Sequence, residues 1–357
     1  MNAETTISWS GEHPLVMEDM ADICSDSVIP WGKLHGSTVL VTGATGLIGS
    51  LLVKTLVYRA VAFGCKMKVL AMVRNLEKAR QLYKDQLVYE GGILSFVCAD
   101  VNEPLSVGEK VDYIVHAASV TSSQDFVSKP VDTILTTFRG TWNVLELARQ
   151  VGSQSVVFLS SLEVYGNLGH ECARESDNGA LDILSVRNSY PQSKRTAESL
   201  CVSYYSQYGV NAKIVRLTQT FGPGVDKNDG RVFAQFARAV IEGKDIVLLS
   251  KGGTCRDYLY TADAVRGILS VLLLGKGGEA YNLSNPDSYI SILDMANMCK
   301  DISGRIDVRF DVDEEAAKKY LGEIKITLNN DAINALNNFE RRSVRDAFIR
   351  MINAFEG

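Results

Sequence analysis

Tyr190 and Lys194, in YPQSK, stand four residues apart, so a helix would place them on one face. A free phenol titrates near 10. A neighbouring ammonium favours the phenolate, and the pair then has the makings of a general base for an alcohol. Upstream, FLSSLEVYG carries Ser161 and, two residues on, Glu163. A serine hydroxyl can hydrogen-bond the same alcohol. If that alcohol is oxidised, the ketone acidifies the adjacent carbon, and a carboxylate held there can move a proton. Glu163 has two plainer uses, capping the following turn or pairing with a cation.

An oxidation needs an acceptor, and the chain offers a place for one. VLVTGATGLIGS puts Gly43, Gly46 and Gly49 between a predicted strand and a predicted helix. Glycines permit the tight turn and the close backbone approach, and a helix N-terminus offers free N–H groups to a pyrophosphate. The turn nominates Gly43, Thr45, Gly46, Leu47 and Ile48 as dinucleotide contacts. The second strand ends in MVRN, so Arg74 and Asn75 stand where an acid would bind the ribose diol of NAD. Arg74 suits a 2′-phosphate and leaves NADP as the alternative, while Asn75 suits an NAD ribose. Asp100, with Val101 after it, closes the third strand, where it faces adenine or caps the strand end.

These groups require strands that end at one rim. Strands are predicted at 37–42, 67–73, 93–100, 111–118, 155–161 and 212–217, with helices at 46–63, 131–152 and 191–208. Continuous apolar strands separated by helices predict a doubly wound α/β fold with a parallel sheet. After about residue 218 the pattern shortens and Gly, Asp and Asn cluster. The expected organisation is an extension over 1–36, a dinucleotide-binding domain over 37–218 and a smaller α/β substrate lobe over 219–357. Part of 245–280 is expected to return to the first domain. PLVMEDMADI reads as a short helix packed on the core or on a partner chain.

The 357 residues are 46% hydrophobic with a net charge of −5 and no basic tract, which argues against nucleic acid and anionic membrane as partners. No apolar run approaches a membrane span, and the acid-containing N-terminus does not read as a secretory signal. Seven scattered cysteines read as reduced, buried thiols of a cytoplasmic protein. Four histidines without ligand spacing predict no metal.

Together these motifs resemble the extended short-chain dehydrogenase/reductase family, in its nucleotide-sugar epimerase, dehydratase and decarboxylase group. The resemblance covers roughly 37–300. It rests on the glycine loop at 43–49, HAAS at 116–119, SSLEVYG at 160–166 and YPQSK at 190–194. TFGPG, NDGRVFAQF, RDYLYTADAV and YNLSNP add the substrate-lobe motifs. The nearest look is that of UDP-glucuronate decarboxylases. The resemblance implies a Rossmann fold, bound NAD, Tyr190 as base with Lys194 and Ser161, and further cofactor contacts from Ala117, Ala118, Ser119, Tyr190 and Lys194. It also implies a nucleotide-diphosphate sugar held by Gln219, Arg231 and Arg256, and a homodimer through the helices after the fourth and fifth strands.

Glu163 matches relatives that act at C5 of the sugar. Leu162 replaces the aspartate of 4,6-dehydratases and cannot protonate a leaving hydroxyl, which favours decarboxylation or epimerisation. Gln219 and Gly224 replace an asparagine and an arginine of the family pattern, and Thr137 replaces an asparagine near the catalytic strand, so the phosphate clamp and proton relay are expected to differ. The expected activity is oxidation at C4 followed by chemistry at C5. Epimerisation, 4,6-dehydration, an NADP-dependent reductase and a dinucleotide-sensing protein stand as alternatives.

Overall fold

The computed structural model describes residues 7, 9–89, 91–312 and 325–356. Seven strands form one parallel sheet: β1 (Thr38–Thr42), β2 (Lys68–Val73), β3 (Leu94–Cys98), β4 (Tyr113–His116), β5 (Ser155–Ser161), β7 (Ala212–Leu217) and β11 (Ala280–Leu283). Between β5 and β7 in sequence lies the short β6 (Cys172–Ala173). The sheet order is β11-β7-β5-β4-β1-β2-β3. The order reverses at β1, between β2 and β4, and a doubly wound sheet opens its ligand crevice at such a point.

The apolar runs become strands because helices cover both faces of the sheet. The first six residues of β5 are buried, and only Ser161 emerges at the rim. On one face lie α1 (Pro14–Ser25), α2 (Leu47–Ala62) and α8 (Thr261–Leu274). On the other, α5 (Pro130–Val151) packs along α6 (Ser189–Tyr208). Glycines 152 and 209 end α5 and α6 in the left-handed conformation, with φ of 67° and 71°. Two predicted strands are shorter than expected. The third ends at Cys98 and the fourth at His116, because the chain turns there into loops that border the crevice.

The remaining strands lie beyond the rim. β8 (Gln219–Phe221), β10 (Cys255–Tyr260), β12 (Asn285–Ser291) and β14 (Lys325–Leu328) join β6 in a second sheet, and β9 (Ile246–Leu248) pairs with β13 (Val308–Phe310). Re-entry into the main sheet is made by α8 and β11, so the returning stretch runs to Leu283.

The N-terminal helix α1 packs on α2 and α8. It is fastened by a buried polar cluster. The Tyr260 hydroxyl donates to Asp19 at 2.6 Å, and Arg350, from the last helix (Val344–Glu356), donates to Asp19 at 2.9 Å and to Glu18 at 3.0 Å.

The cysteine expectation needs correction. All seven are free, and Cys24, Cys65, Cys201 and Cys299 are buried, but Cys98 and Cys172 are exposed and Cys255 is half-buried. Cys98 ends a strand whose outer residues are only partly covered, and Cys172 lies on a two-residue strand at the edge of the second sheet.

Candidate active site

Tyr190 sits in the first turn of α6 and Lys194 one turn later. Both are nearly closed off, 8% and 2% exposed. Lys194 Nζ lies 5.7 Å from the Tyr190 ring centroid and donates to the Leu159 carbonyl at 2.7 Å, which ties α6 to β5. Burial lowers the Lys194 ammonium to about 7, and Glu198 pulls the other way.

At the end of β5 the chain enters a tight turn over Leu162–Tyr165. Ser161 caps it, its hydroxyl accepting from the Glu163 N–H at 3.2 Å. The same hydroxyl is a hydrogen-bond partner of the Tyr190 phenol. Arg195 pins the turn from α6, donating to the carbonyls of Val164 and Gly179, both at 2.7 Å. The strand pleat sends the neighbouring Ser160 the opposite way, to Glu198 at 2.5 Å. Glu198 in turn receives Arg216 at 2.7 Å.

Glu163 is paired. Arg187 donates Nη1 to Oε2 at 3.0 Å and Nη2 to Oε1 at 3.2 Å. Burial holds the Tyr190 phenol above its ordinary range, and the Glu163 carboxylate adds to this. The Ser161 hydrogen bond and the cations Arg187 and Arg231 act downward. Arg187 was not foreseen as a site residue. The one sequence signal for it is its position three residues before Tyr190, in the turn that leads into α6.

The glycine loop needs its glycines for close backbone packing. Gly43 has φ +64°, and a Cβ there would stand 2.7 Å from the Ala117 carbonyl carbon and the Ala118 nitrogen. A Cβ on Gly49 would stand 2.3 Å from the Gly43 oxygen. The loop therefore lies against the 117–118 backbone, which the Ala118 N–H anchors by donating to Thr42 Oγ1 at 3.2 Å. Thr42 Oγ1 also meets His116 Nδ1 at 2.8 Å, and burial drives that imidazole down to about 3, so it is neutral. Gly46 has no side chain to cap α2, which leaves the first-turn N–H groups of Leu47 and Ile48 to a ligand. Thr45 is half-buried in the same loop, and Ser119 donates to the Val120 carbonyl.

Asn75, Asp100 and Arg231, also predicted contacts, have local partners. Asn75 caps the helix that follows, accepting from the Lys78 N–H at 2.9 Å, and Arg74 beside it is exposed. Asp100 accepts from the N–H and side chain of Asn102, both at 2.9 Å, as a strand-end cap does, and Val101 is buried. On the substrate side, Arg231 is close enough to act on Tyr190 but pairs with Asp229 at 2.6 Å. Gln219 on β8 faces Tyr258 across the ladder, and Arg256 is half-buried within β10. Thr137 turns its hydroxyl back onto the Thr133 carbonyl at 3.0 Å.

A model of the family described as NAD dependent epimerase/dehydratase matches residues 39–284. The chain belongs to that family. Similar to this epimerase/dehydratase chain is UDP-glucuronic acid decarboxylase 1 of Xenopus tropicalis, 30% identical over 266 residues, which are 74% of this chain and 60% of that protein. The chain thus spans about three-fifths of that relative. UDP-glucuronic acid decarboxylase 6 of Arabidopsis thaliana is 31% identical over 264 residues, 74% of each chain. Among solved structures, the dTDP-glucose 4,6-dehydratase DesIV of Streptomyces venezuelae, with NAD bound, superposes with a TM-score of 0.74. Its sequence identity is 24%, covering 89% of this chain and 97% of that one, and it shares the fold.

Proposed function

We propose that this chain is an NAD-dependent enzyme that oxidises a nucleotide-diphosphate sugar at C4 and then acts at C5, most concretely decarboxylating UDP-glucuronate. One observation carries the reading: at the mouth of β5 a carboxylate held by an arginine, Glu163 with Arg187, stands beside the Tyr190–Ser161 pair. The curated relatives named above, both UDP-glucuronic acid decarboxylases, support it.

Bound NAD would accept the C4 hydride and later return it. The glycine loop, with Leu47 and Ile48, would hold its pyrophosphate, and Lys194 would orient the nicotinamide end. Tyr190 takes the proton of the C4 hydroxyl while Ser161 fixes that hydroxyl. Carbon dioxide leaves a β-keto acid without an acid catalyst, so the buried leucine at 162 is no obstacle. The C5 proton must then be delivered on the side where Glu163 stands, and Arg187 keeps that carboxylate in place. Arg231, Arg256 and Gln219 are the proposed contacts to the nucleotide diphosphate, and the division at about residue 218 separates cofactor from sugar.

A homodimer belongs to the same reading. Val131, Ile134, Leu135, Phe138 and Trp142 recur at helical spacing along α5. Val131, Ile134 and Trp142 are exposed, Trp142 at 48%, and Leu135 and Phe138 are half-buried. An apolar stripe of this kind fits a second copy of the helix. No described helix is long and apolar enough to cross a membrane.

The test is incubation of the purified protein with NAD and a panel of UDP-, dTDP-, GDP- and CDP-sugars, followed by mass spectrometry. Loss of carbon dioxide from UDP-glucuronate is expected. Loss of water, or an isomer without mass change, would replace decarboxylation by dehydration or epimerisation. No turnover of any sugar would end the reading.

A further inference from the structure

Phe126 lies on α4 (Ser123–Ser128), outside every element that supplies the acid–base groups. Its ring is buried and stacks face to face on Tyr190, with centroids 4.2 Å apart and planes 6° from parallel. The Arg187 guanidinium carbon lies 5.1 Å from the Phe126 centroid. Ser189, the residue before Tyr190, donates its hydroxyl to the Phe126 carbonyl at 2.9 Å, so α4 is fastened to the first turn of α6 by backbone as well as by ring.

A stacked aromatic pair adds about 0.5–1.5 kcal/mol beyond burial, and it favours one relative orientation of the two planes. An aliphatic neighbour of similar bulk imposes no such preference. The torsion that turns a tyrosine ring is otherwise soft. A phenolic O–H prefers the plane of its ring, so the ring plane sets the direction in which the proton is given and taken. The guanidinium is also attracted to the Phe126 ring, a cation–π contact of ordinary length. This contact places Arg187 where it serves both Glu163 and Tyr190.

We infer that Phe126 is a positioning residue: it fixes the plane of the Tyr190 phenol so that the hydroxyl addresses Ser161 and the sugar hydroxyl together, and it seats Arg187 beside them. The inference rests on the proposed role of Tyr190 as base, and it also makes a physical claim that can be read without any sugar.

The variants are Phe126→Leu, which keeps apolar bulk without a flat face, and Phe126→Tyr, which restores the face. The first measurement is the ring-flip rate of Tyr190 in the full chain, by aromatic-carbon NMR on tyrosine-labelled protein, with Tyr190→Phe assigning the signal. Phe126→Leu should speed the flip at least about tenfold, and Phe126→Tyr should return it to the wild-type rate. The second is turnover of whichever nucleotide sugar the panel identifies. Phe126→Leu should lower kcat about tenfold with KM within about twofold, and Phe126→Tyr should recover it. A folded Phe126→Leu protein with an unchanged flip rate, or with unchanged kcat, overturns the inference. If Phe126→Leu does not fold, Phe126→Met is read the same way. Should no sugar turn over even in the wild type, the proposed function fails while the flip rate still decides what Phe126 does.

Discussion

Arg187 grips Glu163 with two hydrogen bonds, 3.0 and 3.2 Å long, joining the turn that leads into α6 to the turn that follows β5. A forked guanidinium–carboxylate contact has a defined plane, which a lysine cannot reproduce. Arg187→Lys should therefore lower kcat by about 10–100-fold while leaving NAD affinity near wild type. The pair of measurements is steady-state turnover and NAD titration by calorimetry. Equal activity in the lysine variant would mean that only the charge matters.

Glu163→Gln keeps the shape of that side chain and removes its charge. Oxidation at C4 should survive, because Tyr190 and Ser161 are untouched, but the step at C5 should fall by about 100-fold or more. Accumulation of reduced cofactor with little final product, followed by nicotinamide absorbance and mass spectrometry, is the expected pattern.

Lys194 makes a prediction about pH. Burial lowers its folded-state value to about 7 from 10.5, so between those values the folded protein binds fewer protons than the unfolded chain. Stability therefore rises with pH through that window, and the burial penalty is largest below it. Lys194→Met removes the penalty. Free of cofactor, it should melt about 3–6 °C above wild type at about pH 6, with the gap closing toward about pH 10. Thermal melts across that range are the check, and a gap that widens with pH would contradict it.

Asp19 runs in the other direction. Burial raises it to about 6, while its hydrogen bond from Tyr260 and the charge of Arg350 act to lower it. Removing the arginine strands a carboxylate in the core. Arg350→Leu should cost about 3–5 kcal/mol in urea unfolding at neutral pH. The loss should shrink as pH falls toward about 6, because Asp19 without its arginine takes up a proton at higher pH than in the wild type and no charge is then left unpaired.

Gly43 and Trp142 test the two ends of the reading by mutation. Gly43→Ala combines a left-handed φ with a Cβ driven into the 117–118 backbone, so NAD binding measured by calorimetry should weaken by about 100-fold or more. Trp142→Glu puts a charge into the α5 stripe and should yield a monomer by light scattering, with the fold intact by circular dichroism.

The amino-acid order alone determined most of the scaffold. Apolar runs such as SVVFLS and glycines at 43, 46 and 49 are local signals, and they led directly to the strands, the helix after the first strand and the glycine loop between them. Tyr190, Lys194, Ser161 and Glu163 could be named for the same reason, since each pair sits within one turn or one strand end. Arg187 and Phe126 could not be assigned that way, because their partners are 24 and 64 positions away and nothing in their neighbours encodes the meeting. Glu163 shows the division most clearly. Its residue type permitted an acid, a cap or half of an ion pair, and only the packing of α6 against β5 brought Arg187 to it. Position alone left Asn75 and Asp100 open between cofactor contact and local cap, and in the fold one oxygen of each accepts from a nearby backbone N–H. Periodicity reports which face a residue occupies, whereas pairing across the fold depends on how helices dock on the sheet, and that is a property of the folded chain.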